Sequence, residues 1–162
     1  MKLNLAILSV ALTQAFSLSA SANQRIIAKG TKQCFARTYT DEHLERHPGQ
    51  QPQSMVFELE WKEGEGAPRP VAALGVNIRG AFLKAPLLFC STDSSSSDLL
   101  MRCGVPCDGG GVEVGYRDNT GTFYVKNLGI ALERGCDANE GSYWFDDTPE
   151  NTLFALEPVP CL

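Results

Sequence analysis

Short runs in which apolar and polar residues alternate recur along this chain at intervals of roughly 10–15 residues. In residues 56–62, Phe57, Leu59 and Trp61 share one face, and three charged residues share the other. A period of two places alternate side chains on opposite faces of a β-strand, so each run predicts a strand with one buried face. About eight or nine such strands, joined by polar turns, predict an all-β fold: a small antiparallel barrel built as a meander, or a β-sandwich.

The clearest hairpin is predicted over residues 112–125, where an Asp-Asn-Thr-Gly turn separates two alternating runs. Asn, Asp and Gly tolerate the positive φ angles that a tight turn needs. Leu128, Ile130 and Leu132 alternate next, and they predict one face of a separate strand. Residues 153–156 predict the last strand.

One short helix is predicted after the opening strand. Thr40 is a typical N-cap residue, and Asp41 and Glu42 place negative charge at the positive end of the helix dipole. Pro48 and Gly49 then end the helix.

Residues 1–22 have the parts of a cleavable secretory signal peptide. Lys2 supplies the positive charge, a broken apolar run follows, and Ala-Ser-Ala directly before Asn23 predicts the cleavage site. The remaining residues, 23–162, predict one disulfide-stabilised β domain, and none of its segments is apolar enough to enter a membrane. The chain has no Asn-x-Ser/Thr sequon, which favours a bacterial protein exported to the periplasm or the cell exterior.

All six cysteines follow the predicted signal peptide. An even number of cysteines in an exported chain predicts disulfide bonds, here with the pairing left open. The C-x3-C spacing of Cys103 and Cys107 differs from the C-x2-C spacing of redox motifs, so we do not expect a redox site. The cysteines are Cys34, Cys90, Cys103, Cys107, Cys136 and Cys161.

The formal net charge is −5 at pH 7, and the sequence contains no lysine- or arginine-rich run. This composition disfavours nucleic acids and anionic membrane surfaces as partners, because both require clustered positive charge. The balance of charge is compatible with a basic partner. A G-x-S-x-G nucleophile motif is absent, and no motif indicates a bound cofactor. We therefore expect a non-catalytic protein without a cofactor.

His43 and His47, the two histidines of the chain, lie four residues apart on the predicted helix. This spacing places both imidazoles on one face, where they form a candidate site for zinc, copper or nickel. Asp41 or Glu42 is a candidate oxygen ligand. The alternative is a solvated helix in which Glu42 and Arg46 form an ordinary i, i+4 ion pair.

Residues 136–151 (CDANEGSYWFDDTPEN) are acidic and hold three consecutive aromatic residues. Three aromatic neighbours in a connection cannot all point into a core, so we expect at least one to cover a barrel end or to face solvent. Exposed aromatic rings beside polar groups suit carbohydrate stacking or a protein-binding hot spot. In the alternative, two rings cap the core and the third is half-buried. The candidate binding residues are Tyr143, Trp144, Phe145, Asp146 and Asp147.

Two classes of function fit such a chain. A carrier of a small molecule or glycan needs an internal cavity, which Trp61, Phe57 and Tyr116 are expected to line. The alternative is a protein-interaction module, such as an inhibitor of a basic cell-envelope or extracellular enzyme, which needs a filled barrel and presents the acidic residues 137–150. The size, export signal and strand pattern are similar to those of lipocalin-type barrels and of small barrel inhibitors that bacteria export against lysozymes and proteases. The lipocalin G-x-W signature is absent, because Trp61 follows Glu-Leu-Glu, so we assign no family.

Overall fold

The structure, a computed structural model, describes residues 31–63, 69–92, 101–116, 122–133 and 142–161. The predicted signal peptide and Cys136 lie outside the described residues. Within these residues the chain forms nine β-strands and one short α-helix. They are β1 (Lys32–Thr38), α1 (Asp41–Arg46), β2 (Pro52–Lys62), β3 (Arg69–Ile78), β4 (Ala81–Ser91), β5 (Met101–Gly104), β6 (Gly110–Tyr116), β7 (Phe123–Leu132), β8 (Tyr143–Phe145) and β9 (Leu153–Val159).

The strands form one antiparallel sheet that closes on itself. From β1 to β7 each strand pairs with the next along the chain, β9 pairs with both β7 and β1, and β8 is an extra strand on β7. The fold is therefore an eight-stranded closed barrel with one added strand. This confirms the predicted all-β meander and selects the barrel over the sandwich.

Alternating side chains of the strands fill the interior of the barrel. In β2 the predicted face is confirmed, because Phe57 and Leu59 are fully buried and Trp61 packs at the edge of the same core. Burial of each large apolar side chain stabilises the fold by roughly 1.5–3 kcal/mol. The largest fully buried side chains come from seven of the nine strands, all but β1 and β6: Phe57, Phe123, Phe145, Phe154, Met55, Leu59, Leu74, Leu88, Met101, Ile130 and Leu132.

β7 corrects the predicted strand that contained Leu128. We predicted two separate strands, and the structure has one continuous strand with a bulge, where the register against β6 shifts between Gly110 and Val112. Gly129 lies at this bulge with a φ of +83°. The extra residue reverses the in–out alternation, so Leu128 is 37% exposed although Ile130 is buried. The prediction that Leu128 shares a face with Ile130 was therefore wrong.

β8 and β9 together occupy one edge of β7. β9 pairs with residues 123–126 and β8 with residues 130–132, while β6 occupies the opposite edge. Between β8 and β9, residues 146–152 leave the sheet and form a 3₁₀ turn at Pro149–Asn151. We call residues 146–152 the excursion. The eighth position of the barrel is therefore filled by two short strands with an excursion between them.

Two disulfides are present among the described residues. Cys34–Cys161 joins the first and last strands near their short pairing, and Cys90–Cys103 joins directly opposed residues of β4 and β5. Cys107 is also disulfide-bonded. Cys103 and Cys107 therefore do not pair with each other. Disulfide bonds are compatible with an exported protein.

The helix α1 begins and ends as the sequence predicts. The Thr40 hydroxyl accepts a hydrogen bond from the backbone N–H of His43, and the segment after Arg46 turns away from the helix. Glu42 Oε1 and Arg46 Nη2 lie 3.8 Å apart and form the i, i+4 ion pair of the alternative interpretation of this helix. Among the described residues, no helix has the length and apolar character needed to cross a membrane.

A row of charged side chains crosses the outer face of β5, β6 and β7. The Glu113 carboxylate accepts hydrogen bonds from the Arg102 guanidinium and, at 3.0 Å, from Lys126 Nζ. Its side chain is only 15% exposed, so water screens the pairs incompletely. The hydrogen bond from Arg102, and after it the one from Lys126, lowers the pKa of Glu113 below its ordinary value. The charged carboxylate is therefore more stable in the fold than in the unfolded chain.

Glu113→Gln is expected to lower the free energy of unfolding at pH 7 by about 1 kcal/mol, because one ionised partner of both pairs is lost. A carboxyl whose pKa is lowered by folding stabilises the fold above its unfolded pKa and loses this contribution as the pH falls through its folded pKa. The difference between parent and variant should therefore be full at pH 7 and disappear in acid, below the ordinary glutamate pKa of about 4.3. Urea unfolding of both proteins at several pH values measures this difference in the free energy of unfolding. A difference that grows in acid would contradict the stabilising role of the ionised Glu113 carboxylate.

Candidate functional site

The three consecutive aromatic residues form β8 and point in different directions. Phe145 is fully buried, and its ring centre lies 5.9 Å from that of Phe154. Tyr143 is half-buried, and its hydroxyl lies 2.6 Å from Gln51 Oε1, to which it donates a hydrogen bond. Trp144 is 47% exposed. Trp144 therefore faces solvent, as expected for at least one ring, and the other two rings pack against the core, as in the alternative. These residues form a short strand where we expected an irregular connection.

Trp144 lies against the backbone of two glycines. A Cβ atom on Gly129 would lie 3.0 Å from Trp144 Cζ2, and one on Gly110 would lie 3.1 Å from Cη2. Both glycines have positive φ angles, +83° and +71°. A side chain at either position would be strained and would push the indole away from the barrel. The missing side chains of these two glycines therefore let the indole lie close to the barrel backbone, and we call the two glycines the glycine seat.

Two exposed leucines lie on the same outer wall as Trp144. Leu128 is next to Gly129 in β7, and Leu153 is paired with Lys126 in the neighbouring strand β9. Leu128 and Leu153 are thus diagonal neighbours across β7 and β9, a relation in which Cα atoms lie roughly 7–8 Å apart. Leu153 is 48% exposed. We call the outer wall that carries these three separate side chains, Trp144, Leu128 and Leu153, the Trp144 patch.

Exposed acidic residues follow the Trp144 patch along the chain. Asp146 and Asp147 are both exposed at the start of the excursion that follows β8, and Glu150 is exposed in its 3₁₀ turn. Within the described ranges neither aspartate takes part in a salt bridge. The apolar patch therefore has negative charge beside it that no cation of the described chain neutralises.

Asn127 fixes the place where β8 ends and the excursion begins. Its side chain is buried, and its Nδ2 lies 3.2, 2.9 and 3.1 Å from the carbonyl oxygens of Phe145, Asp146 and Asn151. Its Oδ1 accepts a hydrogen bond of 3.0 Å from the Gly129 backbone N–H. One amide therefore satisfies carbonyls that lose their strand partners at the break, and it also anchors the glycine beneath Trp144.

Asn151 joins the far end of the excursion to the chain after α1. Its Nδ2 donates to the carbonyl oxygen of Gly49 at 3.1 Å, and its Oδ1 accepts from the Gln51 N–H at 2.8 Å. The same amide nitrogen contacts Thr148 Oγ1 at 2.7 Å. Asn127 and Asn151 are the two buried polar residues of the described chain. Together they hold the excursion against the barrel at both ends.

The interior residues that we expected to line a cavity are packed together. Phe57 is fully buried, and its ring centre lies 5.6 Å from that of Phe123. Phe123 in turn stacks on Phe35 with ring centres 3.8 Å apart. Tyr116 is half-buried at one end of the barrel, beside an open cleft of about 450 Å³. Large side chains therefore occupy the interior at this level, and the cleft is a feature of the barrel end.

His43 and His47 are brought together on α1, as predicted. Their ring centres lie 4.5 Å apart, and His43 Nε2 lies 3.0 Å from Gln50 Oε1. Among the described residues, no group of three or more histidine, cysteine, aspartate and glutamate side chains is arranged to hold a metal ion. Asp41 and Glu42 therefore do not complete a three-ligand site in this arrangement, and the metal site remains a prediction.

Sequence reasoning missed the asparagines and the glycine seat. Asn127 stands at an inward position of an otherwise apolar alternation, which is a signal of a buried polar contact. Gly129 follows two positions later and signals the bulge. Neither signal identifies the distant partners, because the carbonyls that Asn127 contacts lie 18–24 residues away and Trp144 follows Gly129 by 15 residues.

Asn127→Asp tests whether this amide holds the excursion. The substitution keeps the size and the Oδ1 acceptor but replaces the donating Nδ2 with an oxygen that faces three carbonyls. We expect the free energy of unfolding at pH 7 to fall by about 3 kcal/mol. Asn77→Asp is the matched control, because Asn77 uses only its Oδ1, which accepts from the Gly80 N–H at 3.1 Å. It should change the stability by less than about 0.5 kcal/mol. Equal losses in urea unfolding would exclude a special role for Asn127.

The site therefore combines an aromatic ring on a glycine seat, two exposed leucines and an acidic excursion fixed by two asparagines. No protein-family model, no curated protein and no solved structure matches this chain.

Proposed function

We propose that this chain is an exported, non-catalytic protein-interaction module that binds a basic protein through the Trp144 patch. An inhibitor of a basic cell-envelope or extracellular enzyme is the form of this function that fits best. The observation that carries the proposal is the half-exposed Trp144 on its glycine seat, next to exposed carboxylates without a salt bridge. The packed interior supports it further, because a binding protein with a filled barrel has to use its outer wall or its ends.

The physical features of the patch are those of a protein-binding hot spot. Tryptophan is enriched among residues that dominate binding energy, and a seat that fixes its ring reduces the entropy lost on binding. Leu128 and Leu153 add two exposed apolar side chains to the same outer wall. Asp146 and Asp147 favour a cationic partner and should accelerate its association, an effect that salt screens.

A second candidate function is the binding of a glycan or another small molecule with a flat apolar face. The 47% exposure of Trp144 favours it, because an exposed indole held close to the barrel by the glycine seat can stack on such a face. In this case the carboxylates of the excursion would accept hydrogen bonds from hydroxyl groups.

Export is part of the proposal and rests on the predicted signal peptide together with the disulfides. The intact mass of the protein purified from its own host tests it. We expect a chain that begins at Asn23 and is lighter by about six hydrogens, as three disulfides require. A mass that includes residues 1–22, or that corresponds to free thiols, would contradict export.

Trp144→Ala tests the binding site against a panel of cationic secreted enzymes, beginning with lysozymes and basic serine proteases. For an enzyme that binds the parent, we expect the affinity to fall by at least about 30-fold, the effect of losing a hot-spot residue. Phe82→Ala is the matched control: Phe82 is 49% exposed on β4 and its ring lies over Gly75 in the same way. This variant should bind as the parent does. Binding should also weaken between low and high salt.

The same variants separate the two candidate functions. Trp61→Phe leaves Trp144 as the sole tryptophan of the chain, so its fluorescence reports a ligand on the patch directly. A fluorescence change with oligosaccharides and no binding to any cationic enzyme would favour the glycan reading. An affinity for a cationic enzyme that is equal in Trp144→Ala and parent would refute the Trp144 patch as the site.

A further inference from the structure

The end of α1 carries a stack of three rings that the proposed function does not use. The ring centres of Tyr39 and His43 lie 4.8 Å apart, and those of His43 and His47 lie 4.5 Å apart. His43 is half-buried between its neighbours, and His47 is exposed. Both histidines of the chain therefore lie side by side at the surface, on a helix without buried residues.

Gln50 determines which nitrogen of His43 carries the proton. Its Nε2 donates a hydrogen bond to the Pro52 carbonyl oxygen at 2.9 Å, and this fixes the orientation of the amide. The Oε1 of Gln50, which can only accept, therefore faces His43 Nε2 at 3.0 Å. His43 Nε2 must then donate, so Nδ1 of the neutral ring holds the free lone pair. A metal-bound histidine is typically oriented by such a hydrogen bond from its other ring nitrogen to an oxygen.

The distance between the two rings suits one shared ion. A nitrogen ligand lies about 2.0–2.1 Å from a first-row metal ion, so two imidazoles bound in neighbouring positions have ring centres roughly 4–5 Å apart. The observed 4.5 Å lies within this range, and because the ring planes are only 31° apart, the side chains have to rotate for one nitrogen of each ring to meet at the ion. No hydrogen bond to a described residue occupies the ring nitrogens of His47.

We propose that His43 and His47 bind one copper(II) ion, with His43 bound through Nδ1 and oriented by Gln50. Copper(II) binds nitrogen ligands more tightly than the other divalent first-row ions, and its tetragonal geometry accepts two imidazoles with water in the remaining positions. The described cysteines are all in disulfides, so no thiolate among them competes for the ion.

Other side chains near the rings are poor ligands. No cluster of three or more acidic, cysteine and histidine side chains surrounds the pair within the described part of the chain. The site is therefore a bidentate, solvent-accessible site for copper(II) and lacks the third protein ligand typical of catalytic zinc.

Calorimetry with copper(II) in a weakly coordinating buffer at neutral pH tests the proposal on the full processed chain. We expect one ion per chain, and binding at least about tenfold weaker in His47→Ala and in His43→Gln. Gln50→Ala keeps both imidazoles but removes the orienting oxygen, and should weaken binding by about tenfold. Glu45→Ala, an exposed change on the same helix, is the matched control and should bind as the parent does.

Electron paramagnetic resonance of the copper-loaded parent should show two coupled imidazole nitrogens, and His47→Ala should show one. Zinc(II) should bind more weakly than copper(II). Equal copper affinity in the parent and His47→Ala, or an unchanged spectrum, would overturn the proposal. Equal affinity in Gln50→Ala alone would overturn the role of Gln50. None of the substituted residues is fully buried, so these variants should keep the fold, and thermal unfolding of each variant verifies this.

Discussion

The hydrogen bonds of Asn127 hold together the one irregular part of this barrel. Residues 146–152 interrupt the eighth position of the barrel, and carbonyl groups on both sides of the break lose their strand partners. Unpaired carbonyls in a buried position cost free energy, and a single amide nitrogen lies within hydrogen-bond distance of three of them. Because the same side chain also accepts from the Gly129 N–H, the glycine seat and the position of Trp144 depend on it.

The filled interior determines where recognition can take place. Phe35, Phe57 and Phe123 pack ring against ring, so the hydrophobic free energy of these side chains stabilises the fold. Exposed apolar side chains such as Trp144 and Leu153 lie instead on the outer wall. Exposed apolar side chains on a small exported protein increase the risk of aggregation, and the neighbouring negative charge reduces it through repulsion between copies.

Strand number, meander topology and the single helix could be predicted from the sequence, because they depend on local alternation and local caps. The Phe57 and Leu59 face and the Thr40 cap are examples. The bulge at Gly129 was missed, since a pattern of alternating residues does not show on which residue the register shifts. The role of Asn127 depends on carbonyls at residues 145, 146 and 151, and no periodicity in the sequence encodes contacts over such distances. Tyr143 and Trp144 were proposed as binding residues from composition alone, which could not indicate that Trp144 faces solvent and Tyr143 packs against the core.

The break between β8 and β9 determines where the sequence of such a protein can vary during evolution. Asn127 and Asn151 fix the two ends of the excursion, whereas residues 147–150 inside it pair with no strand. Insertions or replacements there would alter the surface offered to a partner without shifting the register of the barrel, because loop length costs little free energy once its ends are held. The barrel strands therefore have to be conserved for folding, whereas the excursion can vary in sequence and length. Homologues would be expected to differ most in length between β8 and β9.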